Sequence, residues 1–194
     1  LENKFTGWKD VPLTQKGQNE ALKAGLLLKN HNISIDKIFS SKLQRANITA
    51  ELAIKEAEMN YLWDGDELIM SKDESLNERN YGDLVGLNKK KTAEKFGKDQ
   101  VHIWRRSYDI PPPNGESLKD VVNRVSPYYD KNIQPLINTN KNVLIVAHGN
   151  SLRAIMIQIG LYKPEEISSI ELPTGSPFCI DFDKGNLVKF YYLS

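Results

Sequence analysis

The sequence contains one cysteine, Cys179, in 194 residues. An internal disulfide framework is therefore excluded, and the usage is compatible with a reducing cytosol, so a cytoplasmic location is expected. No run approaches the roughly 20 apolar residues that span a bilayer, and the opening "LENKFTGWKD" lacks the apolar core of a signal peptide. Charge of one sign is also lacking. With a formal net charge of +1, nothing pulls the whole chain toward nucleic acid or acidic membranes, and neither is expected as a partner. Any anion site must come from local clustering. Internal repeats and low-complexity segments are absent too.

What is present suffices for one substantial core: 40% of residues are hydrophobic and 26% charged, which predicts a single domain over residues 1–194. Thr14 can cap a helix over Gln15 to Asn30, where Ala21, Ala24, Gly25 and Leu28 recur at helical spacing. "DKIFSS" reads as a short buried strand, and Ser41 then caps a second amphipathic helix, "KLQRANITAELAIKEA". From Trp63 to Tyr108 no period is sustained. A short helix is expected around "TAEKFG", and another through "QVHIWRRS" that ends at Pro111 to Pro113.

Ser117 opens a long helix in which Pro127 and Pro135 predict a kink or break. A strand from Val143 to Ala147 and a helix from Ser151 to Gly160 follow. The segments "PFCIDFD" and "LVKFYYL" flank a "KGN" turn as a hairpin supported by Gly185. Alternating helices and strands predict an α/β fold, a three-layer α/β/α sandwich around a mostly parallel sheet. In such folds ligands sit beyond the carboxyl ends of the strands, where "VLIVAHGNSLR" places His148.

Gly149 after that histidine allows close backbone approach, and the following helix N-terminus offers unpaired N–H groups to an anion. A lone His-Gly equally fits a histidine that only bonds a neighbouring loop. The second clue is charge: from Arg79 to Arg106 the segment carries eight Lys/Arg and three acids, a local +5 in a chain of +1. Arg105 and Arg106 cannot share one helix face, but near a helix end both can reach one ligand, and guanidinium forks suit carboxylate and phosphate oxygens. Lys95 and Lys98 fit an ordinary solvated helix face. Glu78, beside Arg79 in "LNERNYG", is the third clue, because a pocket holding substrate anions would raise its pKa and make it a proton donor. A surface Glu-Arg pair is otherwise ordinary.

Taken together, "FTGWKDVPLTQKGQNEA", "SSKLQRA", "LNERNYGDLVGLNK", "WRRSYDIPPPNGESL" and "AHGNSLRA" resemble the cofactor-dependent phosphoglycerate mutases of the histidine phosphatase superfamily. The blocks follow the family's order along the whole chain. The direct link "PPPNGESL" resembles the shorter bacterial-type subclass.

The resemblance implies a histidine phosphatase (phosphoglycerate mutase-like) fold and interconversion of 3-phosphoglycerate and 2-phosphoglycerate, a glycolytic and gluconeogenic step. The reaction would run through a phosphohistidine primed by 2,3-bisphosphoglycerate, without a metal. By motif match, Glu78 is the acid/base and His148 stabilises the transferring phosphoryl group, with Arg45 beside it. Thr6, Gly7, Arg79, Asn80, Tyr81, Lys89, Arg105 and Arg106 match positions that hold the substrate's carboxylate and distal phosphate, while Gly149 and Asn150 match backbone and amide contacts. A homodimer or homotetramer is implied.

The family's Arg-His-Gly motif, which carries the nucleophilic histidine on a first strand, has no counterpart here. His31, in "KNHNIS", and His102, in "QVHIWRR", stand in unrelated contexts and are expected at the surface or in packing. A sheet without its central strand leaves backbone groups unpaired. The expectation is therefore that the natural protein has roughly 17 further N-terminal residues, including a strand of roughly 5 or 6. Two other readings are a phosphatase on the same fold and a non-catalytic remnant that binds phosphorylated small molecules or serves structurally.

Overall fold

The computed structural model describes residues 3–194. Helix α1 (Gln15–Asn30) begins as predicted: the Thr14 hydroxyl accepts from the Gly17 amide, and Ala21, Gly25 and Leu28 form the buried stripe. Strand β1 (Lys37–Ser40) leads into α2 (Gln44–Glu56). The two helices pack so closely that a Cβ on Gly25 would strike the Ala53 carbonyl. Ser41, expected to cap α2, does not. Leu43 holds the cap position without a side-chain bond, while the Ser41 hydroxyl accepts from the Leu43 amide and shares a hydrogen bond with His148. A buried partner 107 residues away takes the group that local preference assigned to the helix.

The irregular middle holds three two-residue strands, β2 (Trp63–Asp64), β3 (Glu67–Leu68) and β4 (Ser71–Lys72). Asn88 caps α3 (Lys89–Phe96) by accepting from the Lys90 and Lys91 amides, so this helix starts one turn earlier than "TAEKFG" suggests. Gly97, at φ +87°, separates it from α4 (Lys98–Arg106). That helix stops at Ser107, well before Pro111: extended backbone there (ψ 144°) lets the Ser107 hydroxyl accept from the Ile110 amide and donate to Asp109.

Helix α5 (Leu118–Asn132) opens with a reciprocal Ser117–Asp120 capping box. Pro127 lies inside it without ending it, because Val121, Val125 and Tyr129 keep one face buried through that region. The break falls at Ile133, before α6 (Gln134–Asn138) with Pro135 in its first turn. Strand β5 (Val143–Val146) leads into α7 (Gly149–Gln158), two residues earlier than expected, and α8 (Pro164–Ile167) follows. The chain closes in a hairpin of β6 (Phe178–Asp183) and β7 (Asn186–Tyr192), whose Lys184–Gly185 turn has φ of +49° and +81°. Both positive values fit the type I′ loop that matches strand twist.

Strands β4, β1 and β5 form a parallel sheet in that order, with Ile38 opposite Leu144 and Phe39 opposite Ile145. Alternation sends Ile38, Leu144 and Val146 to a cluster with Leu28 and Ile54 of α1 and α2. Phe39, Val143 and Ile145 pack on the other side with Val121 and Val125 of α5 and Ala154 and Ile155 of α7. Helices thus cover both faces, which is the expected three-layer sandwich.

The hairpin is a separate antiparallel sheet. Even so, Phe178 joins the α5–α7 cluster and Cys179 the α1–α2 cluster, so β6 divides its side chains between the same two layers as β5. Among the described residues, β5 pairs only with β1 and β6 only with β7. A third cluster, Phe5 with Leu84, Val101 and Trp104, pins the start of the chain onto the irregular middle.

Candidate active site

The site lies beyond the carboxyl ends of β1 and β5. Register aligns Ser40 with Val146, so the residues that follow each strand emerge side by side. His148 caps α7 with extended backbone, its amide donates to the Ser151 hydroxyl (3.1 Å), and its Nε2 shares a 2.8 Å hydrogen bond with Ser41 Oγ. Only 8% of the residue is exposed. Burial, followed by the nearby charges of Arg45 and Arg124, lowers its pKa from 6.5 to about 3. The free site therefore holds a neutral imidazole at pH 7.

Arg45, on the first turn of α2, reaches back to the start of the chain. Its guanidinium donates to the carbonyls of Gly7 (2.9 Å) and Lys9 (3.1 Å). Gly7 has φ +49°, and a Cβ there would press on the Tyr81 amide and Arg79 carbonyl, so this tight turn suits glycine. Phe5, 1% exposed, anchors the turn and brings Thr6 and Gly7 against the Arg79–Tyr81 segment.

Glu78 enters from the irregular middle. Its Oε1 accepts from the Arg79 amide (2.6 Å) and from Asn150 Nδ2 (2.8 Å), two residues past His148. Its charge is felt by Arg45, Lys89 and Arg153. Lys89 begins α3, and burial together with Arg105 lowers its pKa.

Arg79 is 1% exposed and donates to the Tyr81 hydroxyl (3.1 Å) and the Arg105 carbonyl (2.9 Å). It lines a cavity with Arg105, Arg106, Asn150, Arg153 and Ser168. Both residues of the "RR" pair do reach one space, since α4 ends directly beside it. Asn80 shapes the loop beside the cavity: its Oδ1 accepts from the Gly82 amide and its backbone amide donates to Glu116. His31 and His102 are exposed, as expected.

A buried histidine, a held carboxylate and converging guanidiniums can bind a polyanion, stabilise a phosphoryl group and exchange a proton with it nearby. The model of the histidine phosphatase superfamily (branch 1) matches residues 1–191. The chain belongs to that superfamily.

Curated relatives within the histidine phosphatase superfamily agree along its length. A 2,3-bisphosphoglycerate-dependent phosphoglycerate mutase from Bartonella henselae is 50% identical over 189 residues, covering 97% of this chain and 89% of the relative. One of the same name from Parvibaculum lavamentivorans is 46% identical, covering 97% and 87%. Among solved structures, the alpha-ribazole phosphatase from Shigella flexneri superposes with a TM-score of 0.78 at 21% identity, over 100% of this chain and 89% of that one. That likeness is one of fold.

Three site residues escaped the sequence reading of this superfamily member. Ser41 was assigned to a helix cap, and only strand register reveals its bond to His148. Arg124, in the middle of α5, donates to the carbonyls of Ser75 (2.6 Å), Asn77 (3.1 Å) and Glu78 (3.1 Å) and pairs with Glu116 (2.8 Å). Nothing local to "VNRVS" signals that. Arg153 did carry a signal: it stands one helical turn after Gly149, on the face that looks back toward the N-terminus of α7.

Proposed function

We propose that this protein interconverts 3-phosphoglycerate and 2-phosphoglycerate as a 2,3-bisphosphoglycerate-dependent phosphoglycerate mutase. The relatives' shared name supports the reading, and the observation that carries it is the placement of Glu78. Its carboxylate is held by Arg79 and Asn150, with Arg45 and Arg153 within reach of its charge. A mutase needs such a group, because the substrate hydroxyl must lose and regain a proton as the phosphoryl group moves.

The residues have distinct tasks in this reading. Arg45 and His148 neutralise the transferring phosphoryl group, whose loose transition state gains most from positioned positive charge. The arriving anion also reverses the local electrostatics: it offsets the repulsion from Arg45 and Arg124 that now disfavours the imidazolium. Arg79, Arg105, Arg106 and Lys89 hold the rest of the substrate, and Thr6, Gly7, Tyr81, Gly149 and Asn150 shape its seat. The cavity fits an anionic donor, since no carboxylate among the described residues forms an ion pair with Arg79, Arg105 or Arg106. When bound, 2,3-bisphosphoglycerate supplies the priming phosphoryl group.

The nucleophile in this reading is a histidine on a strand seated between β5 and β6. Both strands already divide their side chains between the same two layers, and among the described residues neither pairs toward the other. A strand there would end beside His148.

The test is to incubate the natural full-length protein with radiolabelled 2,3-bisphosphoglycerate, then assay acid-labile label and turnover. Acid-labile phosphohistidine and mutase turnover exceeding bisphosphoglycerate hydrolysis are expected. An unlabelled protein sinks the mechanism; hydrolysis in excess makes the protein a phosphatase.

A further inference from the structure

Four guanidiniums, Arg79, Arg105, Arg106 and Arg153, line one cavity, and Arg153, although it lies within the "AHGNSLRA" block, is the one to which the motif match gives no role. Arg153 lies on α7, where its Nη2 donates to the Ile170 carbonyl (2.8 Å). Its Nε is buried without a hydrogen-bond partner, as is the Nε of Arg79. Its Nη1 lies over Gly149, so near that a Cβ there would sit 3.0 Å away. The glycine thus makes room for the side chain to fold back along its own helix to the cavity.

The surroundings are wrong for an arginine whose task is packing alone. Burial lowers its pKa and Arg106 adds repulsion; Glu78 and Tyr81 offset part of this, and Arg79 adds a smaller repulsion. No carboxylate forms an ion pair with it among the described residues. An arrangement of like charges around a recess lacks its counter-charge, and a buried charge without one is costly. A dianion in the cavity would supply it. The neighbouring Arg106 Nη1 donates to the Ser168 carbonyl (3.2 Å), so both arginines are braced by the same short segment, Ser168 to Ile170. Bracing of this kind fixes the fork before a ligand arrives, which lowers the ordering cost of binding a phosphate there.

We propose that Arg153 is a substrate-binding and specificity-determining residue that, with Arg79, Arg105 and Arg106, holds the phosphate not undergoing transfer. The inference rests on the mutase reading. It adds a fourth ligand to the distal phosphate and accounts for Gly149 as the residue that lets this ligand reach it.

Calorimetric titration of the full chain and its R153Q variant with 3-phosphoglycerate and with sn-glycerol 3-phosphate, which lacks the carboxylate, tests it. Glutamine keeps a donor for the Ile170 carbonyl while removing the charge. Loss of a charge-assisted hydrogen bond is expected to weaken both ligands by about 10- to 100-fold. Binding within twofold of the parent, or weakening of 3-phosphoglycerate alone, overturns the assignment. If the parent binds neither ligand, the mutase reading falls and takes this inference with it.

A second measurement does not depend on R153Q folding. In the 15N-labelled parent chain, the Arg153 Nε–H resonance, assigned by its loss in R153K, is expected to shift as 3-phosphoglycerate is added. A resonance that stays fixed while the ligand binds also overturns the proposal.

Discussion

Ser41 Oγ and His148 Nε2 stand 2.8 Å apart, each just beyond the end of a neighbouring parallel strand. The pair joins the sheet's architecture to its chemistry: register sets the distance, and burial makes the bond matter. Replacing Ser41 with alanine leaves a buried ring nitrogen unsatisfied. We expect S41A to lose about 1–3 kcal/mol of stability, measured by urea unfolding.

The same imidazole predicts a pH dependence. Its folded pKa of about 3 lies below the ordinary 6.5, so between these values the unfolded chain binds a proton that the folded chain refuses. Stability from this group is complete above pH 6.5 and is lost as pH falls toward about 3, by up to about 1.4 kcal/mol per pH unit. Unfolding curves of the parent and H148Q should therefore converge in slope above that window and differ within it. Parallel profiles throughout would contradict the buried, neutral histidine.

Glu78 is held by two donors yet kept within reach of several cations. E78Q keeps an oxygen for the Arg79 and Asn150 amides but cannot exchange the proton. Turnover is expected to fall by about 10²–10⁴-fold, with 3-phosphoglycerate affinity, read by calorimetry, changed little. Undiminished turnover would remove Glu78 from the acid/base role.

Arg124 ties the Ser75 to Glu78 segment to α5. Its fork reaches the Ser75, Asn77 and Glu78 carbonyls, and Glu116, its ion-pair partner, accepts from the Asn80 amide. R124M should cost about 3 kcal/mol, because it leaves Glu116 half-buried without its counter-charge. Denaturant unfolding checks this. R124K, which keeps the charge without the fork, should recover only part of the loss.

How much of this was legible beforehand depends on how far apart the interacting residues are. Thr14 and Ser117 act on amides three residues away, and the Lys184–Gly185 turn joins adjacent strands, so sequence located all three. The motif blocks likewise located Glu78, Arg79, Arg105, Arg106 and His148, which the structure gathers at one end of the sheet. Boundaries were less secure where a side chain had two possible partners: Ser107 ends α4 well before the prolines do, and Asn88 begins α3 early.

By itself, then, the sequence determined the main helices, β1, β5 and the closing hairpin, though not the two-residue strands β2 to β4, together with the corner at His148 and the basic segment from Arg79 to Arg106. These follow from periods of 2 and 3.6 residues and from caps that operate within one turn. Only the tertiary structure decided that Ser41 meets His148 across 107 residues, that Arg124 secures Glu78 from 46 residues away, and that Arg153 shares a cavity with Arg79. Those contacts depend on strand register and helix packing, and a one-residue slip in either would send each side chain elsewhere.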